Sequence, residues 1–432
     1  MPDVAVVGAG YVGLTTAACL AHLGHRVVCA DIDAERVARL GKGEVPILED
    51  GLPDLVAQGI AAGRLRFVVG ARAAAAEAEF VFLCVPTPQG DDGAADLSYV
   101  EDVAREIAPV LRPGTVVVNK STMPVGSTRL VERILGEAGA SIEEIRVASN
   151  PEFLREGSSV RDFLHPHRVV IGCDDPAVAV RVSDLYRSLN APILVTDPAS
   201  AEMIKYASNA FLATKISFVN AIANLCEALD ADVRDVTLGM GYDPRIGFEF
   251  LHPGPGYGGS CFPKDTAALL HTARSVGYAF PLLEGVVEVN RRQQVRMVER
   301  LRAALEGRLE GRTVAVLGLT FKANTDDLRD SPALVVAAAL VAAGARVRAY
   351  DPAAGERAAD AVPGLEVCAD PYEACGGAEA LAVLTEWDEF RWLDYDRIRG
   401  CMAGAVLLDA RNLLDPSAMR RRGFRYQGVG RS

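Results

Sequence analysis

Hydrophobic positions along this chain fall into short unbroken runs that end at glycine or at a polar residue, with stretches of mixed polarity between them. In DVAVVGAGYVGLTTAACLAHLGHRVVCADID a β-rich run meets Gly8, passes into an Ala- and Leu-rich segment stopped by Gly24, and returns as a second run ending at Asp31. That order predicts a βαβ unit. AEFVFLCVPTP and GTVVVNKSTMPVGST read as later strands of the same sheet, with polar residues at their C-terminal ends. VASNPEFLREGSSVRDFLHPHRVVIG leads into a final strand and carries Glu152 and Glu156 four apart; a helical turn there would put both acids on one face. From about Ala199 to Leu229 there is neither proline nor glycine. This predicts one long helix of about 30 residues, some 45 Å at 1.5 Å per residue, with Lys205 and Asn209 one turn apart and Asn220 and Asn224 likewise.

After more helical sequence LEGRLEGRT marks a boundary, and VAVLGLTFKANTDDLRDSPALVVAAALVAAGARVRAYDP repeats the opening: strand, glycine turn, helix, Gly344, strand, Asp351. The predicted fold class is α/β, two Rossmann-like doubly wound domains joined by a central helical domain with a long spine helix. The predicted domains are 1–196, 197–304 and 305–432.

The two halves differ in their phosphate turns. Gly8, Gly10 and Gly13 have the spacing that lets backbone approach a pyrophosphate at a helix N-terminus, and an acid at the end of the second strand takes ribose hydroxyls. Asp31 fills that place and would repel a 2′-phosphate, so the expected cofactor is NAD rather than NADP. Tyr11 and Val12 inside the turn and Arg36 beyond Asp31 are counted with the cofactor residues. Thr87 and Thr122, at strand ends, are expected beside cofactor or substrate. In the second half Gly318 is followed by Thr-Phe-Lys, and the insert FKANTDDLRD brings Lys322 and Arg329 to where the phosphate turn would be. Side-chain cations there imply a different nucleotide.

Composition narrows the classes. Half of the 432 residues are hydrophobic, yet no apolar run reaches the roughly 18 positions that a membrane helix needs. Met1 leads within a few residues into a strand, so a soluble, untargeted protein with no membrane partner is expected. A net charge of −12 argues against a nucleic-acid surface, and Arg420–Arg422 reads as a solvated cluster. The nine cysteines show no CxxC or His-associated spacing, so neither a disulfide framework nor a metal site is indicated and a cytoplasmic setting is expected. Only six of the 45 basic residues are lysine, namely Lys42, Lys120, Lys205, Lys215, Lys264 and Lys322. In a chain that writes positive charge as arginine, each lysine marks a candidate place for a compact ammonium.

One thiol stands apart. GYGGSCFPKD sets Cys261 among glycines, with Lys264 and Asp265 within four residues. A thiolate beside an NAD site can attack an aldehyde, and the resulting thiohemiacetal can lose a second hydride to become a thioester that water cleaves. Exposed amides and Lys264 would favour the thiolate, Gly258 and Gly259 leave room for substrate, and Asp265 can orient Lys264 or move a proton. From the decapeptide alone a structural cysteine is equally open.

GAGYVGL, STMPVGST, NPEFLREG, GPGYGGSCFPKD and FKANTDDLRDSP, in this order from residue 8 to residue 332, resemble the UDP-glucose/GDP-mannose dehydrogenase family. The resemblance implies an NAD-binding N-terminal domain, a central helical domain that forms a homodimer, and a C-terminal domain for the nucleotide of a nucleotide sugar. It implies a four-electron oxidation of the sugar C6 alcohol to a carboxylate with two NAD in succession. Cys261 then corresponds to the nucleophile, and Lys205 and Asn209 to the pair that stabilises the oxyanion. Lys205 and Asp265 are the two candidates for proton transfer in the first step. Thr122 and Glu152 correspond to residues that hold or activate water, with Glu152 the general base for thioester hydrolysis. Phe153, Leu154, Glu156, Phe250 and Tyr257, with Gly258, correspond to the substrate pocket, while Glu156, Lys264 and Arg329 fall near the cofactor and phosphates. Arg245 resembles an arginine that reaches the partner subunit's sugar nucleotide. Lys264 and Phe262 favour UDP-glucose over other nucleotide sugars, whereas Pro253, where a small residue is expected, departs from the pattern and bears on sugar selectivity.

Two other classes remain open from the residues. A two-electron hydroxyacid dehydrogenase would leave Cys261 structural and has no need of Lys322 and Arg329. A non-catalytic NAD-binding scaffold has no need of Lys205, Cys261 and Asp265 together.

Overall fold

The computed structural model describes residues 1–90, 92–141 and 143–431. By compactness the chain forms two units, Met1–Ser208 with Ala267–Tyr278, and Asn209–Thr266 with Ala279 onward, so the helical stretch 197–304 is shared between them. Among the described residues no helix is long and apolar enough to cross a membrane.

The first unit is built on eight strands: β1 (Asp3–Val7), β2 (Arg26–Asp31), β3 (Leu65–Val69), β4 (Phe80–Leu83), β5 (Val116–Asn119), β6 (Arg146–Ser149), β7 (Val169–Gly172) and β8 (Ile193–Thr196). Their order is β3-β2-β1-β4-β5-β6-β7-β8. All neighbours run parallel except β6 and β7, which meet antiparallel through Ser149 and Gly172. The strand expected to close this sheet, β7, is followed by a helix (Pro176–Leu185) and then by β8, which is the edge. The central strands β4 and β5 are buried along their whole length, as the unbroken apolar runs require of a sheet covered on both faces. The order reverses direction between β1 and β4, which opens a crevice at the carboxyl ends of those strands.

The second unit carries β9 (Thr313–Leu317), β10 (Arg346–Tyr350), β11 (Glu366–Val367), β12 (Ala380–Val383), β13 (Val406–Asp409) and β14 (Arg425–Gly428), all parallel in the order β11-β10-β9-β12-β13-β14. This is the winding of the first six strands over again. The two sheets share a steric device. Gly8 and Gly318, each just after the first strand of its unit, have φ of 100° and 91°. A Cβ at Gly8 would run into the carbonyl of Cys84, and one at Gly318 into Thr385, the residues that follow β4 and β12. Only glycine satisfies both the backbone conformation and the approach.

The acids at the ends of β2 and β10 have different surroundings. Asp31 accepts from the amides of Ala9 (2.8 Å) and Asp33 (3.0 Å) and lies 3.4 Å from the Arg36 guanidinium. Asp351 is buried, and its carboxylate accepts from the amides of Leu319 (2.7 Å), Thr320 (3.0 Å), Ala353 (2.9 Å) and Ala354 (3.0 Å), from the Thr320 hydroxyl (3.2 Å) and from Trp387 Nε1 (3.2 Å). It ties the turn after β10 to the turn after β9 and to Trp387. The repeat seen in the sequence is therefore one of fold, and the second acid serves structure.

The long helix runs Pro198–Leu229, 32 residues, or about 48 Å. In the second unit Phe211, Phe218, Leu225 and Leu229 lie exposed along it, the first three at intervals of seven, whereas Ala213, Ser217, Asn220 and Ala223 are buried. Ser217 donates to the Val286 carbonyl (2.8 Å) and Asn224 to Gln293 (3.0 Å), which bind this helix to the helix Pro281–Ala304.

Removing the buried acceptor of six donors should be costly. Asp351→Ala is expected to lower stability by at least about 2 kcal/mol, read by urea unfolding with Trp387 fluorescence, while NAD affinity stays within about twofold because the NAD turn belongs to the other unit.

Candidate functional site

In the first unit the predicted residues collect at the carboxyl ends of β1, β4, β5 and β6. The helix Tyr11–His22 starts without a side-chain cap at Gly10, and a Cβ placed there would have nothing within 4 Å. Gly13, by contrast, has no room for a Cβ against the Gly8 carbonyl. Uncapped amides facing open space, with Asp31 at the next strand end, fit a dinucleotide: pyrophosphate at the helix start, ribose at the acid. Tyr11 lies in the first turn of this helix. Its hydroxyl donates to the buried Glu49 carboxylate, which also accepts from the amides of Gly157 (2.8 Å) and Ser159 (2.7 Å). Thr87 is buried, and its hydroxyl donates to the Thr122 carbonyl (2.9 Å), tying the segments after β4 and β5 together.

The segment after β6 is not helical between residues 150 and 155, so Glu152 and Glu156 do not share a helix face. Instead Glu152 turns back on itself. One of its oxygens accepts from the Leu154 amide (2.6 Å) and the other from Lys205 Nζ (2.8 Å), both side chains being almost fully buried. Burial by itself would push the Glu152 carboxyl up; the Lys205 ammonium, with its hydrogen bond and that of the Leu154 amide, outweighs it and holds the group below the usual carboxylate range. The Phe153 ring packs between cations, with Arg168 Cζ 3.7 Å and Lys205 Nζ 5.4 Å from its centroid. Arg168 was not foreseen from sequence; its isolation in HPHRVV gives no signal until Phe153 is placed.

In the second unit Cys261 directly precedes the helix Phe262–Ser275, and its carbonyl accepts from the Asp265 amide (2.8 Å). The sulfur thus sits at a helix start, where the dipole favours a thiolate. Of the nine cysteines, all free, seven are buried, Cys401 is exposed and Cys261 is half-buried. Asp265 is buried and bridges two predicted partners, accepting from Lys264 Nζ (2.7 Å) and Asn209 Nδ2 (2.5 Å). The thiol loop is held from several sides. Asn290 accepts from the Tyr257 amide (2.8 Å) and donates to its carbonyl (3.0 Å). One turn further along the same helix Gln293 donates to the Gly254 carbonyl (2.9 Å), and Asn220 accepts from the Gly254 amide (2.8 Å). Tyr257 and Phe250 both meet Phe262 edge-on, at 6.1 and 6.2 Å between centroids. A clamp of amide side chains on two helices was missed by the motif reading, because Asn220, Asn290 and Gln293 lie outside the motif blocks.

The loop also packs on the second nucleotide turn. The Gly259 amide donates to the Arg329 carbonyl (3.0 Å), and Cβ atoms at Gly258 and Gly259 would strike Asp330 and Phe321. Two blocks some 70 residues apart in the chain thereby share one surface. Lys322 lies over the Phe321 ring, 5.4 Å from its centroid, and the exposed Arg329 pairs with Asp327 (2.7 Å). Arg411, also unforeseen, donates to the carbonyls of Phe321 and Leu384 (both 2.9 Å). Arg245 is exposed and paired with Asp243 (2.6 Å). Among the described residues no cluster of three His, Cys, Asp or Glu side chains forms that could hold a metal ion.

Comparison with known proteins bears on all three parts of the chain. Residues 2–190 match the NAD binding domain of the UDP-glucose/GDP-mannose dehydrogenase family, 199–292 its central domain and 315–416 its UDP binding domain. The chain is 49% identical to a UDP-glucose 6-dehydrogenase of Rhizobium meliloti over 99% of both chains, and 47% identical to one of Pseudomonas aeruginosa over 99% of this chain and 97% of that one. It superposes on a UDP-glucose dehydrogenase from the archaeon Pyrobaculum islandicum with a TM-score of 0.92 at 40% identity, covering 100% of this chain and 98% of the other.

The surroundings of Asp31 generate a test of cofactor choice. In Asp31→Ser the preference for NAD over NADP should fall by about tenfold or more, the equivalent of about 1.4 kcal/mol, in steady-state kinetics with both dinucleotides.

Proposed function

Because the chain belongs to the UDP-glucose/GDP-mannose dehydrogenase family, we propose that it oxidises UDP-glucose at C6 to UDP-glucuronate, a four-electron NAD-dependent reaction carried by Cys261. The observation that carries this reading is the thiol itself: half-open at a helix start, on a clamped glycine loop, with Lys264 and Asp265 of the Asn209–Asp265–Lys264 chain three and four residues later. The three-part division 1–196, 197–304 and 305–432 is kept as a functional one, for cofactor, dimerisation and nucleotide sugar.

NAD accepts a hydride in each of the two oxidations. In the first, Lys205 or Asp265 takes the C6 hydroxyl proton, and Lys205 with Asn209 stabilises the developing oxyanion. The Cys261 thiolate then forms a C–S bond to the aldehyde carbon, which gives a thiohemiacetal whose loss of hydride leaves a thioester. Glu152, kept ionised by Lys205, takes a proton from water positioned with Thr122. The water oxygen bonds to the acyl carbon, the C–S bond breaks, and the electron pair returns to sulfur. Phe153, Leu154, Glu156, Phe250, Tyr257 and Gly258 are assigned to the sugar, Lys322 to the sugar nucleotide, and Lys264, Arg329, Thr87 and Glu156 to the neighbourhood of cofactor and phosphates. A uronate made in the cytoplasm suits polysaccharide synthesis.

The exposed stripe Phe211, Phe218 and Leu225 supports a homodimer through the long helix, since repeated apolar residues at seven-residue intervals are best covered by a second helix. Arg245, exposed on the same unit, is assigned to the partner's substrate.

Two outcomes are expected. The protein should release two NADH per UDP-glucose, whereas Cys261→Ser should bind NAD normally and either fail to turn over or trap a covalent sugar adduct visible by mass spectrometry. One NADH per sugar, or normal UDP-glucuronate formation by the serine variant, would restore a structural Cys261 and a two-electron reaction. Separately, Phe218→Asp should convert the dimer to monomer in sedimentation velocity, and an unchanged dimer would remove the long helix from the interface.

A further inference from the structure

Lys120 is one of the six lysines, and the proposed chemistry leaves it unused. It follows β5, two residues before Thr122, and the parallel register of Asn119 with Ser149 sets it beside Asn150, two residues before Glu152. Its side chain is buried. The ammonium donates to Asn150 Oδ1 (3.0 Å) and lies 6.0 and 5.7 Å from the ring centroids of Phe163 and Tyr186. Asn150 cannot turn away, because its amide nitrogen donates to the Val170 carbonyl (2.8 Å) and its oxygen also receives the Tyr186 hydroxyl (2.5 Å). Among the described residues no carboxylate lies within ion-pair distance of Lys120.

A buried cation with neutral partners is expensive, and a guanidinium would not fit a single amide oxygen between two rings. The anion that answers it is the neighbouring Glu152. We propose that Lys120 is a positioning residue for the hydrolytic step: its buried ammonium, fixed by Asn150, sets the field in which Glu152 stays an anion and takes its proton from water. The inference rests on the reading of Glu152 as that base. The titratable groups facing Lys120 are Cys84 after β4, Glu152 after β6, Lys205 on the long helix and Tyr186 after the helix Pro176–Leu185. Burial draws the ammonium down to about 8, with Lys205 adding to the effect and Cys84 and Glu152 opposing it, so it remains charged at neutral pH.

The test uses Lys120→Met and Lys120→Gln in the full-length protein. Gln is neutral and keeps an N–H donor on a side chain one atom shorter, so it removes the charge while retaining a polar donor and covers the case in which Met fails to fold. Hydrolysis is followed as decay of the Cys261 acyl adduct, by quenched mass spectrometry from about pH 3 to about pH 8, a window that spans the carboxylate range. Loss of the cation should raise the Glu152 carboxyl, moving the acid limb up by about one pH unit and slowing hydrolysis about tenfold on that side. The rate should recover at higher pH, and Kd values for NAD and UDP-glucose should stay within about twofold. Glu152→Gln is measured alongside. Slow hydrolysis in that variant with an unshifted profile in Lys120→Gln would overturn the role of Lys120 alone, as would a loss spread equally over binding and both hydride transfers. Normal hydrolysis in Glu152→Gln would overturn the base assignment and the role of Lys120 with it.

Discussion

The buried pair of Glu152 and Lys205 constrains the structure around it. Two charges 2.8 Å apart with almost no exposure have each given up hydration worth several kcal/mol, and their attraction offsets that loss only in good geometry with the remaining lone pairs satisfied. The Leu154 amide supplies the second hydrogen bond to the carboxylate, the Phe153 ring lies against the ammonium, and Arg168 stacks on the same ring. The non-helical path of residues 150–155 follows from this. A helix would engage the Leu154 amide elsewhere and leave one carboxylate oxygen buried without a donor.

The thiol loop obeys a similar rule with neutral groups. A glycine-rich segment has little side chain of its own to hold it, and its buried amides and carbonyls need partners. Asn220, Asn290 and Gln293 provide them from two long helices, and Gly258 and Gly259 let the loop lie directly on the turn after β9. A loop pinned at Gly254 and Tyr257 delivers Cys261 to a helix start with little freedom. The rigid helices hold the position of the loop.

Both units use one winding, yet they have diverged at the acid that follows the second strand. Asp31 engages two amides and Arg36 beside an uncapped helix start, whereas Asp351 is enclosed by six donors from its own turn, the turn after β9 and Trp387. Arg411 holds the insert after β9 through the Phe321 carbonyl.

Local sequence was enough for what depends on local physics. Glycines at 8, 10 and 13 between a β-rich run and a helix, the uninterrupted stretch from Ala199 to Leu229, and the second strand–turn–helix each express a backbone preference or a hydrophobic period, and the motif order identified the family. Tertiary structure decided what depends on partners far apart in the chain. It added β8 beyond the expected last strand, because the chain after β7 turns back through a short helix that the apolar runs did not separate. It kept Glu152 and Glu156 off a common helix face, because a lysine some 50 residues later claims the first carboxylate. It turned Asp351 inward through Trp387 and the Leu319 and Thr320 amides, and it made Lys120 a buried cation rather than one more surface charge. Burial and hydrogen-bond partnership at such separations are properties of the packed chain, and no window of neighbouring residues contains them.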